Sequence, residues 1–164
     1  MRILGLTGWS GNGKTTLLVA LLPIFLERGL SVSTVKHAHH GFDLDQPGKD
    51  SWRHREAGAR EVLIASGTRW ALMHEMRGEA EPVLADLLPR LAPVDLVLVE
   101  GFKRDAHPKI EVHRPSLERE PIWPGRPDIV AVASDQPIPA CDRPVLPLGE
   151  PAAIVDWAVD YLGL

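Results

Sequence analysis

Residues 8–16 read Gly-Trp-Ser-Gly-Asn-Gly-Lys-Thr-Thr, and their flanks restrict what can surround them. Before them runs Arg2-Ile3-Leu4-Gly5-Leu6-Thr7, short, mostly apolar and strand-like; after them Leu17 to Leu22 opens a helix. The order strand, G-x-x-x-x-G-K-[ST], helix is that of a phosphate-binding loop. Gly8, Gly11 and Gly13 open backbone conformations closed to other residues. Successive N–H groups from Gly8 through Trp9, Ser10, Gly11 and Asn12 to Thr16 can therefore turn inward on phosphate oxygens. The helix starting near Lys14 adds its unpaired N–H groups and about half a positive charge. Lys14 is placed to reach the β- and γ-phosphates, and Thr15 to ligate Mg²⁺ through its hydroxyl. The loop implies a nucleoside triphosphate, or a ligand shaped like one.

At 164 residues the chain suffices for one substantial core, and a single domain over residues 1–164 is expected. A hydrophobic fraction of 45% and a charged fraction of 24% are those of a soluble globular protein. A net charge of −4 supplies no basic excess to neutralise a nucleic acid. Cys141 stands alone, so neither an internal disulfide nor a zinc cluster can form on it, and a filler role in a reducing cytoplasm fits. The longest apolar run, Leu17 to Leu26, is too short to span a bilayer, and Pro23 interrupts it. The first apolar stretch passes at once into the loop, unlike a signal peptide. A cytoplasmic protein without nucleic-acid or membrane partners is expected.

Strand-like and helix-like stretches alternate, which predicts an α/β fold with a mostly parallel sheet flanked by helices. Arg28-Gly29 stops the first helix. Ser31 to Lys36 reads as a second strand and Ala38 to Lys49 as a loop. Asp50 or Ser51 can cap a helix through Arg60. Glu61 to Ser66 and Arg69 to Met76 form two strands around Gly67-Thr68. Glu81 to Leu91 has leucines at helical spacing, with Pro82 suited to its first turn. Asp95 to Glu100 is apolar on both faces and therefore central. Lys109 to His113 is a further short strand, residues 115–128 an irregular Pro-rich excursion, Ile129 to Ala133 a late buried strand, and Pro151 to Leu162 a closing helix.

The central strand ends in Glu100-Gly101. A carboxylate at the end of such a strand, beside the loop, is placed to hold Mg²⁺ or polarise a water. Asp95 stands at the opposite end, about 16 Å away. Lys36-His37-Ala38-His39-His40-Gly41-Phe42-Asp43-Leu44-Asp45 leaves the second strand at the loop's edge of the sheet. His37, His39 and Asp43 are possible metal ligands, but successive loop residues seldom converge unaided. A switch-type loop sensing the γ-phosphate, with Asp45 as a Mg²⁺ partner, is the better reading. Arg53 and Arg60, seven apart, suit an anion clamp on a helix face, or simply a solvated basic face. Asp135 at the end of the late strand could accept both N1–H and N2–H of guanine; Asp135-Gln136-Pro137 reads equally as an ordinary turn.

Together these segments resemble the molybdopterin-guanine dinucleotide biosynthesis protein B family. The match runs through Gly8–Thr16, the His-rich segment with Pro47-Gly48-Lys49-Asp50-Ser51, and Arg53-His54-Arg55-x-Ala57-Gly58-Ala59. The Asp95 to Lys103 strand and Ile110-Glu111-Val112-His113-Arg114 complete it; the segments are spread over residues 3–135, so the similarity covers most of the chain. The resemblance implies a P-loop nucleoside triphosphate hydrolase fold and a homodimeric GTP-binding adaptor with weak Mg²⁺-dependent GTPase activity. It also implies two partners, the guanylyltransferase that joins GMP to molybdopterin and a molybdenum-insertion protein. Gly8, Gly13, Lys14, Thr15 and Thr16 carry over for phosphate and Mg²⁺, with Asp45 and Glu100 behind them. Trp9 departs from the pattern, since an indole has no phosphate role, and nothing in the loop supplies a second lysine.

On this reading Lys14 and Glu100 are the catalytic residues, and Thr15, Asp45 and Glu100 the metal site. Without an arginine finger the isolated protein forfeits about 10³–10⁵ in rate. Two rival readings stand beside it. One is a small-molecule kinase holding its acceptor on Arg53, Arg55 and Arg60. The other is a non-catalytic adaptor whose loop grips the molybdopterin phosphate.

Overall fold

The computed structural model describes residues 1–38 and 41–164. Strand β1 (Arg2–Thr7) runs into the loop, and helix α1 (Lys14–Glu27) follows. The helix passes through Pro23 and ends at Arg28, where Gly29 takes a φ of +78°. Strand β2 (Val32–Lys36) comes next, then helix α2 (Asp50–Glu56) and the antiparallel strands β3 (Glu61–Ala65) and β4 (Trp70–His74). A short helix α3 (Leu84–Leu87) tightens into a 3₁₀ turn over Leu88–Arg90. Strands β5 (Leu96–Glu100), β6 (Lys109–His113), β7 (Ile129–Ser134) and β8 (Val145–Pro147) and helix α4 (Pro151–Leu162) complete the chain.

The chain divides into two compact units, one of Met1–His37 with Leu84–Leu164, the other of Ala38–Val83. In the first, six strands are ordered β2-β5-β1-β6-β7-β8, and each neighbouring pair is parallel. Alternation along the strands builds two cores, because successive side chains leave opposite faces. Leu4, Leu6, Leu96, Leu98, Ile110 and Val112 face one way and pack with Leu21 and Phe25 of α1 and Ile154, Val155 and Ala158 of α4. Val97 and Val99 face the other way, against Leu84 and Phe102. Burial of β5 on both faces agrees with its central place, between β2 and β1.

In the second unit the β3–β4 register pairs Leu63 with Leu72 and Ala65 with Trp70. The Ser66 hydroxyl accepts the Thr68 and Arg69 N–H groups and pins the turn. Leu63, Trp70 and Leu72 share one face of this ribbon, and all three are exposed.

Three elements differ from the sequence reading. Helix α2 stops at Glu56, because Ala57 leads into Gly58 at a φ of +110°. Its cap is Lys49, so Asp50 is the first helical residue, where its carboxylate faces the positive end of the helix. Arg60 lies beyond this helix and binds Glu79, so Arg53 and Arg60 do not form a clamp on one helical face. The helix expected over residues 81–91 keeps one α turn, because Pro89 has no N–H to give Ala85. Its start lies after Pro82, at Leu84, whose N–H is received by the Asp105 carboxylate at 3.1 Å. Strand β8, three residues that follow Pro144 and end in Pro147, was too short and too proline-rich for the pattern to show.

Candidate functional site

Parallel pairing sets the site. Leu6 of β1 lies opposite Glu100 of β5, which lies opposite Lys36 of β2, so three strand ends open on the loop at residues 8–13. Gly8 takes a φ of +139°, and a Cβ there would stand 2.5 Å from the Val112 carbonyl oxygen. Only glycine lets the loop turn this close to β6. Gly11 and Gly13 follow at φ +86° and +94°, and Gly13 leads directly into α1. No side chain caps that helix and no acidic residue occupies its first turn. Its free N–H groups face a site for an anion.

The Lys14 ammonium donates to the carbonyls of Gly8 at 3.1 Å and Trp9 at 3.0 Å, folding back over the loop. Burial holds it below the ordinary lysine value; Glu100 opposes that shift, while Lys103 and Lys36 add to it. The Thr15 hydroxyl lies within hydrogen-bond distance of both Glu100 oxygens. Lys36 Nζ stands 3.7 Å from the same carboxylate. The structure thus brings Lys14, Thr15 and Glu100 together and adds Lys36. Hard oxygen donors on Thr15 and Glu100 suit a magnesium ion, and the glycine-lined cradle with its desolvated lysine suits phosphate. Ser10, Gly11 and Thr16 are exposed along the same rim.

Other expected residues are engaged differently. The Trp9 indole donates to the Glu120 carbonyl at 2.7 Å, and Lys103 Nζ lies 5.6 Å from its ring centroid, which gives the indole an anchoring role. Asp135 is ion-paired with Arg114 at the end of β7. A cleft of about 280 Å³ lies beside it, between residues 134–137 and 145–147. Asp45 belongs to the second unit, where its Oδ1 accepts from the Ser51 hydroxyl at 2.8 Å. Asp43 receives a two-pronged bond from Arg55, at 2.8 and 2.7 Å, which pulls its carboxyl down to about 2. His37 packs on Phe102, with ring centroids 4.8 Å apart, and His39 and His40 lie outside the described residues. Among the described residues no three His, Cys, Asp or Glu side chains form a metal-holding group. Asp95 binds Ser31, at the far end of β5.

Two residues that the sequence reading placed only in the matching run at 110–114 have partners it did not foresee. Arg114 follows β6 and donates from Nε to the Asn12 carbonyl at 3.1 Å. Its signal was position, since a charged residue just past a parallel strand lies on the edge where ligands bind. Glu111, wholly buried, accepts the Ile122 and Trp123 N–H groups at 2.8–3.0 Å and ties down the Pro-rich excursion. A glutamate within a short strand gives no sign of that partner.

A parallel sheet of this order, with the glycine-lysine-threonine loop between its first strand and helix, defines a P-loop nucleoside triphosphatase fold. Among the described residues no helix is long and apolar enough to cross a membrane. The chain belongs to the molybdopterin guanine dinucleotide synthesis protein B family, which residues 3–135 match. It is 41% identical over 163 residues to the molybdopterin-guanine dinucleotide biosynthesis adapter protein of Haemophilus influenzae, covering 98% of this chain and 89% of that one. The protein of the same name from Escherichia coli is 40% identical, with 98% and 93% covered. A crystal structure of molybdopterin-guanine biosynthesis protein B superposes with a TM-score of 0.75 at 30% identity, covering 98% of this chain and 99% of that one. Bacillus subtilis MobB shares the fold, with a TM-score of 0.74 at 23% identity over 99% and 98% of the chains.

Proposed function

We propose that this chain is a GTP-binding adapter in molybdopterin-guanine dinucleotide synthesis, working as a cytoplasmic homodimer beside the guanylyltransferase and the molybdenum-insertion protein. Family membership and the two adapter relatives support the adapter role. The observation that carries nucleotide chemistry is the Thr15–Glu100 contact beside Lys14, at the mouth of an uncapped helix.

Loop amides and the Lys14 ammonium would take the β- and γ-phosphate charge, and for that Lys14 must leave the Gly8 and Trp9 carbonyls. A Mg²⁺ ion, when bound, neutralises charge on the β- and γ-oxygens. The Thr15 hydroxyl and the Glu100 carboxylate are the groups that would hold it. Glu100 also keeps Lys36 beside the phosphates. Asp135 would read the guanine N1–H and N2–H from the cleft at the ends of β7 and β8. Arg114, beside the loop, is engaged by the Asn12 carbonyl and the Asp135 carboxylate, and slow hydrolysis is expected of the isolated protein.

The ribbon face of Leu63, Trp70 and Leu72 supports the homodimer, since an exposed apolar face of this kind is what a second copy buries. The kinase reading is weaker, because Arg53 and Arg60 do not share a helix.

Titration of GTP, ATP and molybdopterin, each with and without Mg²⁺, tests the reading. GTP should bind at least tenfold tighter than ATP, about 1.4 kcal/mol, and Lys14→Ala should abolish that binding. Tighter binding of ATP than GTP overturns the guanine assignment. Molybdopterin binding that is lost in Lys14→Ala, with no GTP binding in the wild type, supports the non-catalytic adapter instead.

A further inference from the structure

We propose that Arg114 is a positioning residue that ties the phosphate loop to the base subsite, so that Asp135 supports phosphate binding as well as base recognition. The proposal rests on the nucleotide-binding reading above.

Arg114 stands immediately after β6, with the loop on one side and the end of β7 on the other. Nε donates to the Asn12 carbonyl, Nη1 to the Asp135 carboxylate, and Nη2 lies 3.6 Å from where a Cβ on Gly13 would be. The same strand end holds the loop a second time: buried Asn12 donates from Nδ2 to the Val112 carbonyl at 2.8 Å. The peptide between Asn12 and Gly13 is therefore gripped at its oxygen. In a planar trans peptide the N–H points opposite to the C=O. Holding the Asn12 oxygen outward, on Arg114, turns the Gly13 N–H to the other side, and Gly13 is the last residue before α1.

Asp135 sets the guanidinium in that pose. A carboxylate offers about four lone-pair sites, and Arg114 uses one, which leaves Asp135 able to receive a guanine edge without releasing the arginine. Arg114 is held at both ends, so it orders the loop and does not reach out as a finger toward the γ-phosphate. A solvated ion pair with no such role would contribute little to anything distant.

Tripolyphosphate with Mg²⁺ separates the two roles, because it fills the loop and has no base. Calorimetry on the full chain should show Asp135→Ala weakening tripolyphosphate about three- to tenfold, although Asp135 touches no phosphate. In an Arg114→Gln background the Asp135→Ala change should add nothing further. Asp135→Asn keeps an oxygen for Arg114 and should recover most of the lost affinity, while its preference shifts from GTP toward XTP. Hydrogen exchange at the Gly13 amide gives a second readout: faster in Asp135→Ala, slowed again in Asp135→Asn. Unchanged tripolyphosphate affinity and Gly13 exchange in Asp135→Ala, or additive effects of the two changes, overturn the proposal. Coupling without any GTP preference over ATP would remove the guanine reading and keep the Arg114 role; GTP preference without coupling would do the reverse.

Discussion

The Thr15 hydroxyl lies 2.9 and 3.0 Å from the two oxygens of Glu100, joining the first turn of α1 to the end of the central strand. The residues are far apart in sequence, and the parallel pairing of β1 with β5 brings them together. Both offer oxygen to one point in space. Glu100→Gln should therefore flatten the Mg²⁺ dependence of triphosphate affinity and cost tenfold or more at saturating Mg²⁺, in line with about 1.5–3 kcal/mol for bonds to a charged group. A Mg²⁺ titration at fixed nucleotide checks it; retention of the full Mg²⁺ effect would remove Glu100 from the metal site.

Gly8 and Gly11 should respond differently to alanine. Each has a positive φ, but a Cβ at Gly8 meets the Val112 oxygen at 2.5 Å, whereas at Gly11 it meets nothing within 4 Å. Gly11→Ala should cost about 1 kcal/mol of folding stability, and Gly8→Ala about 3 kcal/mol. Urea unfolding of the two variants measures the difference.

Acid should loosen the fold through His107. Its ring is buried, and desolvation, aided by Lys109, holds its pKa at about 4 against the opposing pull of Asp105 and Asp128. A Cβ on Gly5 would meet its Nε2 at 2.6 Å, so the ring has little room to move. The folded chain keeps this imidazole neutral, whereas the unfolded chain protonates it near 6.5. Its contribution is present above pH 6.5 and is lost as the pH falls from 6.5 toward 4, by an amount of order 2–3 kcal/mol. Burial lowers His113 as well, with the same sign. Unfolding free energies at pH 7.5 and 4.5 should differ accordingly, and His107→Phe should reduce that difference without erasing it.

Glu111→Ala should strand the Ile122 and Trp123 N–H groups that its carboxylate receives. The cost expected is about 2–4 kcal/mol, and Glu111→Gln, which keeps one acceptor, should cost less. Burial pushes the Glu111 carboxyl above the ordinary glutamate value, against the opposing pull of the two backbone donors. Stability curves in urea, followed by tryptophan emission, rank the two variants.

Regular patterns were legible in the residues. The loop at 8–16, the doubly buried strand ending in Glu100 and the closing helix each repeat a local rule that neighbours enforce, and α4 spans the residues its pattern marked. The hairpin was visible for the same reason, since alternation and the Gly67-Thr68 break specify its register. Beyond the meeting of Glu100 with the loop, contacts between remote segments were not legible. Arg114 reaches Asn12 across 102 positions and Trp9 reaches Glu120 across 111, distances over which no periodicity carries information. Arg53 and Arg60 show the opposite failure: their spacing suits a helix, but Gly58 intervenes and the helix ends first.

Helix α1 begins without a side-chain cap and without an acidic residue in its first turn. An anion seated there would complete the helix as well as occupy a site, and its affinity would count toward keeping the chain folded. At a hundred times the dissociation constant that linkage amounts to about 2.7 kcal/mol. The amount of intact protein in a cell would then follow the supply of its own ligand. Starvation for that ligand would leave more of the chain open to proteolysis before any change in synthesis.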